Sequence, residues 1–87
     1  MSTTMRAKLY VTGVEQHKDP EGKLFQETLL MSAIGKSGDY DETGLDEDNT
    51  FSKFTPMASF SIAIQNPALW GKFEPGQKYY VDFTPAA

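Results

Sequence analysis

The chain has no cysteine, which excludes disulfides, thiolate metal sites and a cysteine nucleophile. It has a single histidine, His17, set near Glu15 and Asp19 beside a turn-like run, with no nucleophile elbow anywhere. That histidine reads as an exposed turn residue, and the chain reads as non-enzymatic. No stretch approaches the roughly 18 apolar residues that span a bilayer, and Met1 to Arg6 leads into no apolar run of the signal-peptide kind. Helix-period patterns of any length are missing too. These absences predict a soluble domain with no membrane partner, acting inside a cell or inside a particle made there.

Positive charge is also scarce. The 8 basic residues face 12 acidic ones, for a net charge of −4, which weighs against nucleic acid as a partner. The imbalance is local. Six of the carboxylates fall between positions 39 and 48 (Asp39, Asp41, Glu42, Asp46, Glu47, Asp48), and the rest of the chain nets +2. Unpaired carboxylates are too costly to desolvate, so this run is expected to be a solvated loop, a cation site or a negatively charged docking surface. It lies within a 38–56 segment inserted between strands of one 87-residue β domain. A domain of this size buries only about 60% of the surface its unfolded chain exposes, so its core is expected to be thin and completed by partners.

What is present is strand pattern. Ala7, Leu9 and Val11 alternate with Arg6, Lys8, Tyr10 and Thr12 up to Gly13. The polar run His17 to Lys23, with Pro20 and Gly22, reads as a hairpin connection. Leu24 to Ile34 is apolar on both faces and reads as a central strand. Met57 to Gln65 alternates Ala58, Phe60, Ile62 and Ile64 with small or polar residues. Asn66 and Pro67 start one short helical turn that Gly71 ends, and Glu74-Pro75-Gly76-Gln77 fits a type II turn into a last strand, Lys78 to Thr84. The expected fold is mostly β: a small antiparallel barrel, OB-like, or a sandwich, with one helical turn.

Three chemistries fit these residues. Asp39, Asp41, Thr43 and Gly44 match the opening of a calcium loop, but position twelve is Thr50 instead of a bidentate Glu, so the match is weak and no metal or other cofactor is expected. Tyr10, Tyr80 and Trp70, with Arg6, Lys8 and Lys78 nearby, could stack and neutralise a single strand, although the acidic run beside them repels phosphate. Phe51 and Phe54, following Asp46, Glu47 and Asp48, are too apolar to be left wet and suit a protein contact.

Three further stretches point outward: Asp46-Glu47-Asp48-Asn49-Thr50-Phe51-Ser52-Lys53-Phe54-Thr55-Pro56, then Asn66-Pro67-Ala68-Leu69, then Phe73 to Pro85. With Met5-Arg6-Ala7-Lys8, they make the chain resemble small, largely uncharacterised proteins of tailed bacteriophages and prophages. The resemblance covers most of the chain, but its motifs are structural punctuation and carry over no site residues. It implies a phage origin more than a function; together with a chain that is acidic, cysteine-free and without a basic stripe, it favours a virion-associated structural or interaction protein, such as a capsid decoration or stabilisation protein, working as a homo-oligomer with a phage capsid protein. Such a protein would be found in the host cytoplasm during infection and then in the virion. Two alternatives are a single-stranded-DNA-binding protein of phage replication or recombination, and an inhibitor of a host factor acting through the acidic loop.

Overall fold

Period-two alternation becomes strand at four places in the computed structural model, which describes residues 3–87. The strands are β1 (Met5–Lys18), β2 (Leu24–Ala33), β3 (Ser59–Ile64) and β4 (Lys78–Phe83). They form one antiparallel sheet in the order β3-β2-β1-β4. The protein is therefore mostly β, and the one helical element among the described residues is the 3-10 turn Pro67–Leu69, capped by the Asn66 side chain as its sequence predicts. The Glu74–Gln77 turn is also present, with Gly76 at φ 91° and the Gln77 N–H bonded to the Glu74 carbonyl.

β1 runs further than its alternation predicts, and His17 lies inside it, not at an exposed turn. Its ring nitrogen Nε2 sits 2.9 Å from Thr28 Oγ1, and the residue is half-buried. The polar stretch from Val14 to Lys18 is held as strand by pairing with β2, after a register shift between Val11 and Gly13. The hairpin turn is only the short Asp19–Lys23 segment, where the Asp19 carboxylate accepts from the Glu21 and Lys23 N–H groups.

Ala7, Leu9, Val11, Leu29, Met31 and Ile64 form the buried core on one sheet face. Two devices cover it. The connection from β3 to β4 crosses that face, bringing Trp70 and Phe73 onto the core. The sheet also curls, so that Phe60 on one outer strand and Phe83 on the other have ring centroids 6.3 Å apart. Glu27 shares this face and is buried, 3.3 Å from the Gln16 amide and the Gly71 N–H. The outline is elongated, 56 × 32 × 16 Å, with a radius of gyration of 15.8 Å. A compact chain of this length is expected at about 12 Å.

Candidate interaction site

The acidic segment is not a solvated loop throughout. Asp46 is only 3% exposed and Asn49 is 0% exposed, which corrects the expectation that no carboxylate of this run can be buried. The physical reason is full satisfaction. Asp46 Oδ1 accepts from the Asp48 and Asn49 N–H groups at 2.9 and 3.0 Å. Its Oδ2 accepts from the Tyr40 hydroxyl at 2.9 Å and from the Lys36 N–H and Asn49 Nδ2 at 3.2 Å. Burial pushes the Asp46 carboxyl up, but these donors outweigh it and hold it below the usual carboxylate range. Burial, then the bond to Asp46, raises the Tyr40 hydroxyl.

Asn49, held by Asp46, acts as a substitute strand. Beyond the end of β2, its Oδ1 accepts the Lys8 N–H and its Nδ2 donates to the Ile34 carbonyl, both at 2.8 Å. Next to it, Thr50 takes both the N–H and the carbonyl of Arg6. The loop is thereby sewn to β1 where β2 has diverged, and the Arg6 and Lys8 N–H groups and the Arg6, Lys8 and Ile34 carbonyls all find partners there.

The outer part of the loop has its own small packing unit. The Phe54 ring lies over Gly44 and meets Tyr40 edge-on at 6.0 Å. Gly44 has φ +72°, and a Cβ there would collide with the Phe54 ring. Gly44→Ala is accordingly expected to cost about 1–3 kcal/mol through backbone strain and overpacking, measurable as a lower urea midpoint. Phe54 thus folds back on the loop while remaining exposed, and Phe51 is exposed beside it. Of the weak calcium-loop set, Asp41 is turned onto the Thr43 N–H and hydroxyl. Asp39 is exposed. Among the described residues no group of three His, Cys, Asp or Glu side chains is placed to hold a metal ion.

Tyr10, Tyr80, Arg6, Lys8 and Lys78 share the sheet face opposite the core, by the registers Arg6↔Asp82, Lys8↔Tyr80 and Tyr10↔Lys78. Acidic partners occupy three of them. Arg6 makes a two-pronged contact with Asp82 at 2.7 and 3.0 Å and lies 4.5 Å from the Tyr80 ring centre. Lys8 Nζ is 3.5 Å from Asp48, which also accepts from the Tyr80 hydroxyl at 3.3 Å. The Arg6 bond holds the Asp82 carboxyl low, and the same bond raises Arg6. Trp70 is separated from this group. It packs on the core, and its indole N–H donates to the Ile64 carbonyl at 2.8 Å.

Asn49, Tyr40, Lys36 and Glu27 were not singled out by sequence reasoning. Glu27 could have been, since it falls in phase with Leu29 and Met31. Asn49 and Tyr40 carried no local signal. Comparison with protein-family models, curated proteins and solved structures finds no match to this chain.

Proposed function

We propose that the chain is a non-enzymatic structural or interaction protein that works as an oligomer and attaches to a phage capsid protein, as a decoration or stabilisation subunit. One observation carries the oligomer. The chain exposes 6031 Å² of surface, against about 5,100 Å² expected of a compact monomer of its mass. The excess of roughly 900 Å² is close to what one partner buries in a standard interface, about 800 Å². Leu45, Phe51, Phe54 and Met57 are all exposed along the loop, which suits a protein contact.

The capsid half of the proposal rests on the phage resemblance, as does a place in the host cytoplasm and then the virion. The curl bridged by Phe60 and Phe83 supports reading the fold as an OB-like barrel left open between its outer strands. Purified particles are expected to contain the protein together with their major capsid protein. Its absence from them would sink the capsid assignment.

A second reading, single-strand binding, is favoured by the five residues sharing the face of β1 and β4. Asp48 and Asp82 oppose it by already neutralising that face. Fluorescence anisotropy of a labelled oligonucleotide is expected to show no binding even at low salt. Tight binding that weakens steeply with salt would replace the structural reading. The host-factor inhibitor reading has fewer carboxylates to present, since Asp46 and Asp48 are committed inward.

A further inference from the structure

The two outer strands of the sheet are guarded very differently. β4 carries Lys78 and Asp82 on its open edge, the usual protection against unwanted strand pairing. β3 carries none. From Phe54 to Gly71 there is not one charged side chain, and within β3 there is no proline or glycine. Natural edges are blunted unless they are used. We infer that the outer edge of β3 pairs antiparallel with β3 of a second copy of this chain, joining two sheets into one. This names the surface behind the self-association proposed above and rests on that reading.

The backbone shows which groups of β3 are free to pair. The Ala33 N–H donates to the Ala58 carbonyl, and Met31, Leu29 and Glu27 then face Phe60, Ile62 and Ile64 in turn. Backbone groups alternate sides along an antiparallel strand, so those of Ser59, Ser61 and Ala63 point outward. A two-fold axis through Ser61 sets Ser61 against itself and Ser59 against the copy's Ala63, and every outward N–H and carbonyl of these three residues finds a partner. On the exposed face only small side chains meet. On the core face Phe60 falls opposite the copy's Ile62, an aromatic and β-branched pair of the favourable kind. That covers Ile62, which is 44% exposed in the single chain. Met57, 86% exposed, lines an open groove with Ser32, Ala33, Pro56, Ala58 and Ser59 at the start of the strand. The end of the copy's β3 runs toward that groove. No charge is brought against a like charge anywhere along the pair.

The absence of cysteine makes the test direct. Ser61→Cys sets two thiols at a strand spacing of roughly 5.5 Å between Cα atoms, which a disulfide spans. Mild oxidation is expected to give a covalent dimer. Tyr80→Cys, on the guarded edge, is expected to give little. Ser61→Lys puts two ammonium groups opposite each other and is expected to weaken self-association about tenfold or more by sedimentation velocity. Trp70 fluorescence and circular dichroism check that the variant chain stays folded. A wild-type chain that is monomeric at all concentrations overturns both this inference and the oligomer. A wild-type oligomer that neither cross-links through Ser61→Cys nor dissociates with Ser61→Lys overturns the β3 edge alone.

Discussion

Asp46→Ala is expected to destabilise the domain by about 2–4 kcal/mol, although it removes one acid from the most acidic segment of an acidic chain. Charge arithmetic alone predicts the opposite sign. Five donors converge on this carboxylate, and deletion takes the acceptor from the Tyr40 hydroxyl and the Lys36 and Asp48 N–H groups and one of two from the Asn49 amide and the Asn49 N–H, which keep the Ile34 and Asp46 carbonyls. Asn49 then loses its anchor, and with it the bridge from the Lys8 N–H to the Ile34 carbonyl. Asp46→Asn is expected to cost less than alanine but more than nothing, because an amide nitrogen must then face donors on one side or the other. Glu47→Ala is the control. That carboxylate is largely exposed and pairs with Lys36 at 3.3 Å, so its loss is expected to stay within about 0.5 kcal/mol. Thermal unfolding separates the three, at roughly 4–8 °C per kcal/mol for a domain of this size.

The same site sets the pH dependence. Asp46 titrates lower in the folded chain than in the unfolded one, so the stability it contributes is present above the ordinary carboxylate value of about 4 and is lost as pH falls through its folded value. The exposed Asp41 and Asp82 shift in the same direction, Asp41 through its bonds to Thr43 and Asp82 through Arg6. Tyr40 shifts upward, which places its contribution below about 10 and removes it as pH rises through the folded value. Stability is thus expected to be flat near neutrality and to fall on both sides. In Asp46→Asn the acid limb should flatten. An unchanged acid limb in that variant would remove Asp46 from the account.

How much of this was readable in the chain depends on where each residue finds its partners. β3 and β4 alternate cleanly because one face of each meets the core, and the sequence pattern reports that directly. Val14 to Lys18 carry no such pattern. Their place in β1 comes from backbone pairing with β2, to which side-chain hydropathy is blind. The acidic run shows the limit of composition. Unpaired carboxylates do stay out of a core, but Asp46 is paired, by Tyr40 and Asn49 nearby and by the backbone of Lys36 ten positions back. Asn49 reaches Lys8, 41 positions away. No window of sequence contains that contact. Similarly, Arg6, Lys8 and Tyr80 look like a stacking platform until the register brings Asp82 and Asp48 among them.

The thinness of the core sets the second large effect. Leu9 is 0% exposed at the centre of the sheet, between Ala33 on β2 and Tyr79 on β4. Leu9→Ala is expected to cost about 3–5 kcal/mol, because alanine on the neighbouring strand cannot move in to fill the space. A domain of this length has a total stability of only about 4–13 kcal/mol, so the variant loses a large share of its margin and, toward the low end of that range, is largely unfolded when dilute. Self-association changes that outcome in a way that separates two accounts of the molecule. If folded chains pair and unfolded ones do not, raising the concentration restores folded Leu9→Ala by mass action, and its midpoint climbs with concentration. If the single chain is self-sufficient, the midpoint stays fixed while the loss remains. Circular dichroism melts of Leu9→Ala over a hundredfold range of concentration distinguish them. Combining Leu9→Ala with Ser61→Lys is expected to move any climb to about tenfold higher concentration or beyond, since the lysines weaken the pairing that the weakened core would otherwise depend on.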